Sequence, residues 1–198
     1  MSNLNAHPRA SKPRQYRLGK RAEKQELTRR RIVEAAVELH ARIGPARTSI
    51  AQIAERAGVQ RHTFYAHFPD DRSLMSACSA LALEREPLPD VEAWADYPAG
   101  LERIRHGLDD MYRWYARNEQ LTASVLRDAE VHELTREIVQ MRMGPTFERA
   151  SELLREGIHE RSFPLLDVAL NFNCWKVLSA SADPQNAAGL MSRAVFAA

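Results

Sequence analysis

At 198 residues and 44% hydrophobic content, the chain has material for one ordinary domain, or a small domain joined to a larger one, and wholesale disorder is excluded. Only 8 glycines, together with few β-branched residues, argue against an all-β fold; long Ala/Leu/Arg/Glu-rich runs favour helices. The net charge of +2 conceals an asymmetry: residues 1–31 carry +8, residues 32–74 are neutral and residues 75–198 carry −6. A basic head on an acidic body suits a polyanionic partner, with a solvated basic tail as the plain alternative.

Cys78 and Cys174 stand far apart and outside any CxxC or CxxH spacing, so neither a disulfide framework nor a zinc site is supported, and two reduced thiols are expected. No apolar leader opens the chain and no apolar run approaches membrane-spanning length. The expectation is a soluble, cytoplasmic protein with no cofactor, no metal and no membrane partner.

In chain order, residues 1–25 carry Pro8 and Pro13 among Ser, Asn, Lys and Arg and read as a basic, flexible arm. From about Thr28, Ile32, Ala36, Leu39 and Ile43 recur at helical spacing until Gly44-Pro45 ends the helix. Thr48 and Ser49 are N-cap residues for "IAQIAERA", which Gly58 closes. Gln60 to Phe68 form the next short helix, and Asp70 or Asp71 caps a longer one ending before "PLPD" at 87–90. Then come a helix from Leu101 to near Asn118, a short one around Leu121–Asp128, and one over 131–143 stopped by Gly144-Pro145. Segments at about 146–159, 165–180 and 185–196 complete the chain. No strand-period segment appears. The reading is all-α: a three-helix head over 26–74 on a larger helical body over 75–198.

Within the head, small Ala54 lets two helices approach, Gly58 permits a positive φ in the turn, and Val59 and Phe64 fill the space between, as a helix-turn-helix requires. "TSIAQIAERAGVQRHTFYAHFPDDRSLM" resembles the DNA-binding segment of the TetR family of bacterial transcriptional regulators. The resemblance rests on Thr48-Ser49, Ile53-Ala54, Ala57-Gly58-Val59, Thr63-Phe64-Tyr65, His67-Phe68 and Leu74, and covers about 45 residues; the body matches in architecture alone. It implies a homodimer whose third helices enter successive major grooves of a palindromic operator. A helix fits that groove with its N-terminal side chains against base edges, here Gln60, Arg61 and His62. Thr63 and Tyr65, with Thr48 and Ser49, resemble the family's phosphate-facing positions, and Arg47 and His67 stand beside them. His62 and His67 are five apart and do not share a helix face as i,i+4 residues do, so a metal pair is disfavoured. The sequence departs from the family pattern at Asp71, where a phosphate-binding Lys is common and Arg72 is the substitute, and at Pro45 and His40, where aromatics are common. Arg9, Lys12, Arg14, Arg17, Lys20 and Arg21 of the arm are set to follow phosphates, and Arg29, Arg30 and Arg31 to open helix one against its dipole.

For the body the resemblance implies effector binding and dimerisation. Met111, Trp114, Tyr115, Met141, Phe147, Asn171, Cys174 and Trp175, with Tyr112 and Met143 nearby, are the candidate lining of an apolar pocket; ordinary core is the plain alternative. Leu165, Leu166, Ala169, Phe172, Leu178, Leu190, Val195 and Phe196 leave apolar faces that a four-helix dimer bundle of the last two helices would cover. The functional expectation is a DNA-binding repressor released from its operator by a small, mostly apolar molecule. The alternative is a constitutive DNA-binding or architectural protein. An enzyme is disfavoured: no nucleophile–base spacing, phosphate loop or metal cluster appears.

Overall fold

The computed structural model describes the backbone from residue 12 to 198 and side chains from residue 19. Among these residues it contains α-helices, three short 3-10 turns and no strand. The head comprises α1 (Lys12–Ile43), α2 (Ile50–Ala57), α3 (Arg61–His67) and the start of α4 (Asp71–Arg85). One stripe of α1, with Ile32 and Ala36 fully buried, packs on Ile53, Phe64, Phe68 and Leu74. α2 is too short to persist alone. It is held at its start by a capping box between Ser49 and Gln52 and at its end by Gly58, whose φ of 64° lies in the left-handed region. Its Arg56 Nε donates to Glu38 on α1 at 2.9 Å. Asp70 caps α4 by accepting from the Ser73 N–H at 2.7 Å, and Asp71 is the helix's first residue.

α1 begins at Lys12, well before Thr28, so the expected arm is helical from residue 12 onward; residues 1–11, including Arg9, lie outside the described residues. The physical reason is propagation. Pro13 sits in the first turn, where it is tolerated, and the Lys, Arg, Gln and Glu that follow are good helix formers contiguous with the buried stripe. Arg29, Arg30 and Arg31 therefore stand mid-helix and do not oppose a helix end. Arg29 lies over the Phe68 ring at 4.9 Å and Arg30 pairs with Glu34.

The body is built on α5 (Leu101–Ala129), flanked by α6 (Glu133–Arg155), α7 (Phe163–Leu170), α8 (Phe172–Ser179) and α9 (Pro184–Ala197). α5 buries Leu108, Met111, Tyr112 and Tyr115 against α9, α7 and Trp175. The Tyr112 and Tyr115 hydroxyls donate to the carbonyls of Ala169 and Leu170, at 2.8 and 2.6 Å, satisfying groups that the end of α7 leaves open.

Three expected boundaries differ. α5 runs unbroken past Asn118, because no Gly or Pro interrupts residues 118–129. α6 continues through Gly144-Pro145; packing of Ala150, Leu153 and Leu154 outweighs the roughly 3 kcal/mol that an interior proline costs. The segment 165–180 divides at Asn171, whose side chain accepts from the Asn173 N–H at 2.8 Å and starts a new helix. The apolar set assigned to a dimer face also splits. Leu166, Ala169, Phe172 and Val195 belong to the subunit's own core and Leu165 and Leu178 are half-buried, while Leu190 and Phe196, joined by Val168 and Val177, stand on the surface.

Candidate nucleic-acid interface

The turn from α2 to α3 projects the first residues of α3 away from the core. Gln60 is the N-cap residue but makes no side-chain cap hydrogen bond; its side chain and those of Arg61 and His62 are exposed. Thr63 is half-buried, with its hydroxyl 3.2 Å from His62 Nε2. One turn on, Tyr65 is 47% exposed while Phe64 is sealed beneath it, ring edge against ring face. His67 is half-buried in the last turn. At the other edge of this surface, Arg47 is exposed, the Thr48 hydroxyl donates to the Gly44 carbonyl at 2.7 Å, and Ser49 is engaged in its capping box. Arg72, at the start of α4, reaches across to Glu137 of α6 at 2.5 Å, with both groups largely exposed. Such a pair contributes about 1 kcal/mol or less, so an anion of higher charge can displace it. Among the described residues no group of three His, Cys, Asp or Glu is placed to hold a metal ion.

Sequence reasoning missed how this surface is tied to the body. At the end of α1 the chain turns through Gly44, with φ 94°, into Pro45–Arg47. Three side chains of α5 grip that turn. Ser124 donates to the Ala41 carbonyl at 2.9 Å, and Arg127 to the Ile43 carbonyl at 3.0 Å. The buried Asp128 carboxylate accepts the Ala46 N–H at 2.9 Å and is paired with Arg127. A Cβ at residue 44 would overlap Asp128 and Arg127, so the glycine serves both the backbone angle and the close approach. Burial holds His40, one turn before Gly44, down at about 4, against the opposing pull of Asp128, so the imidazole is neutral near pH 7. No local pattern announces this clamp: Ala46 and Asp128 are 82 residues apart.

With this geometry in view, residues 32–78 match the family model for bacterial regulatory proteins of the tetR family. The whole fold is similar to an HlyIIR mutant protein (18% identity, covering 86% of this chain and 96% of that one, TM-score 0.62). It is also similar to a TetR-like transcriptional regulator from Rhodococcus sp. RHA1 (19%, 85% and 93%, TM-score 0.61). The chain carries a tetR-type segment at residues 32–78, on a body whose fold resembles those of solved TetR-like regulators. A further neighbour is the regulator FadR from Bacillus subtilis in complex with stearoyl-CoA (17%, 84% and 96%, TM-score 0.58). No curated protein matches in sequence. The likeness to these solved structures is one of fold. No helix among the described residues is long and apolar enough to cross a membrane.

In the body the candidate pocket residues are not gathered around one space. Trp114 lines a cavity of about 100 Å³ at the head–body junction. Tyr115, Phe147 and Asn171 line a second, more open groove of about 340 Å³. Met111 and Trp175 are core, Cys174 is half-buried against that core, and Met141 is 53% exposed. The cause is the unbroken α6: residues 141 and 143, two apart on one helix, point about 200° from each other. Met143 borders both spaces, as do Leu126 and Val139, while Met141 borders neither. Burial pushes the Cys78 thiol up to about 12, so it stays protonated and behaves as a small apolar wall of the junction cavity.

Proposed function

We propose that this protein is a homodimeric, ligand-responsive transcriptional repressor of the TetR type. In this reading residues 26–74 bind DNA and residues 75–198 bind effector and pair subunits through the last two helices. The observation that carries it is the first turn of α3: Gln60, Arg61 and His62 are exposed together on a helix that Phe64, the Gly58 turn and the capped α2 hold rigidly. Arg61 reads guanine through two parallel hydrogen bonds, Gln60 reads adenine, and His62 donates to a base or a phosphate. Arg47, Thr48, Ser49, Thr63, Tyr65 and His67 hold the phosphates on either side, and Arg72 exchanges Glu137 for DNA. The exposed Leu190 and Phe196 favour a partner for α9.

In the repressing state the two recognition helices lie one DNA turn apart, about 34–36 Å. An effector that fits the body better when the heads are differently spaced releases the operator; a ~100-fold coupling needs about 2.7 kcal/mol of differential binding. The FadR neighbour in complex with stearoyl-CoA supports effector binding by a body of this fold.

Selection of bound sequences from a random duplex pool, at near-physiological salt, tests the reading. The expected result is a palindrome whose half-sites are about one helical turn apart. Failure to enrich any sequence would remove operator recognition from this protein.

A further inference from the structure

The junction cavity has walls from both regions: His40 and Pro45 from the head, Met75 and Cys78 from α4, Trp114 and Thr122 from α5, with a further wall from α6. Its volume of about 100 Å³ is small. Sites for drug-sized ligands run from roughly 300 Å³, whereas an apolar cavity of ~150 Å³ engineered in another protein takes benzene. The space is therefore scaled to a single ring.

Six polar side chains interrupt the apolar lining; Ser79, Asn118, Thr135 and Arg142 have hydrogen-bond partners, which leaves His40 and Thr122. His40 is 5% exposed and Thr122 is 7% exposed, and among the described residues neither side chain has a hydrogen-bond partner. Both border the cavity, and neither has a polar atom that is wholly sealed within the protein and unpaired. Leaving such groups unpaired is costly, and an apolar residue of similar volume would avoid the cost. The imidazole is uncharged here, since burial depresses its proton affinity. Arg142, also on the wall, is tethered to the Ser79 hydroxyl and the Ser76 carbonyl at 3.2 and 3.3 Å. The unmet demand is thus for hydrogen bonds between neutral groups.

We propose that the junction cavity binds a small uncharged ring compound bearing a hydroxyl group, of the phenol class, held by hydrogen bonds to His40 and Thr122. Its role in regulation rests on the repressor reading above. Because His40 and Pro45 flank the turn that Asp128 grips, an occupant presses on the DNA-binding head directly, without a relay through the rest of the body.

The test is isothermal titration of the full-length, DNA-free protein at pH 7 with three probes: phenol, toluene and benzoate. Phenol binds saturably, one per chain. Toluene, with the ring but no hydroxyl, binds about tenfold more weakly, the weight of about one hydrogen bond. Benzoate, which brings a charge into the cavity, binds more weakly than phenol. Thr122→Val and His40→Leu each reduce the affinity for phenol several-fold while leaving that for toluene nearly unchanged, and Ala82→Leu, which narrows the space, removes both. If His40→Leu does not fold, Thr122→Val carries the comparison alone. Absence of saturable phenol binding, equal affinity for toluene and phenol, or tighter binding of benzoate would each overturn the proposal. Operator selection without phenol binding would sink the cavity assignment alone; phenol binding without operator selection would sink the repressor reading and leave the cavity standing.

Discussion

In the head, helices of eight and seven residues are locked by small and medium side chains, with Ile32, Ala36, Ile53 and Phe64 almost wholly sealed from solvent. In the body, one helix of 29 residues carries Tyr112, Trp114 and Tyr115 into an aromatic cluster with Phe172 and Trp175, and spaces remain beside it. Helices as short as α2 and α3 exist only through caps and packing, so the head has little freedom except as a unit. Large aromatic rings joined by a long helix fill space less evenly and leave room that a ligand can use. The contrast teaches a division of labour: the head is built to present a surface, the body to offer alternatives, and the turn at Gly44 is where one constrains the other.

Breaking that turn has the largest expected effect. Gly44→Val places a branched side chain at positive φ and against the Asp128 carboxylate, and should cost about 3–5 kcal/mol of stability, read from denaturant midpoints. A loss below 1 kcal/mol would mean that head and body are not held together there. Asp128→Ala leaves the Ala46 N–H unpaired and should cost about 1–3 kcal/mol. If the clamp sets the spacing of the heads, the same variant should weaken operator binding while Arg61 and the rest of α3 are intact.

Acid sharpens the comparison differently. His40 titrates near 6.5 when unfolded but only near 4 when folded, so between those values the unfolded chain binds the extra proton and stability falls as pH falls. Asp128 is the charged group that opposes this shift. From pH 7 to pH 5 the contribution is about 2 kcal/mol, and it is absent above the unfolded value. Parallel denaturation of the wild type and His40→Leu should show a smaller loss in the variant; identical pH slopes would take the buried imidazole out of the account.

How much of this was legible in the sequence follows the same division. α2 came out residue for residue, because Ser49, Gly58 and the Ile53/Ala54/Ala57 face are local signals that the tertiary structure leaves in force. The exposed triad at the start of α3 followed from the same register. In the body, Gly144-Pro145 read as a stop, yet packing of the turns beyond it carried the helix through, and that displaced Met141 from the interior. Asn171 has a second part that the sequence did not announce: a residue assigned to a pocket borders the open groove and is also the cap that divides two helices. The clamp and the junction cavity were invisible, since each joins α1 to α5 across some 80 residues of chain, and a lone Asp or His in a helix has no pattern to betray it.

The central claim is that the first turn of α3 reads DNA. Its most direct test is the affinity of wild type and Arg61→Ala for the duplex recovered by selection and for a scrambled duplex, at one stated salt concentration. The account predicts that the variant keeps its fold and its weak affinity for the scrambled duplex but loses about ten- to a hundredfold on the selected one, the weight of one bidentate base contact. An unchanged affinity for the selected duplex would contradict it.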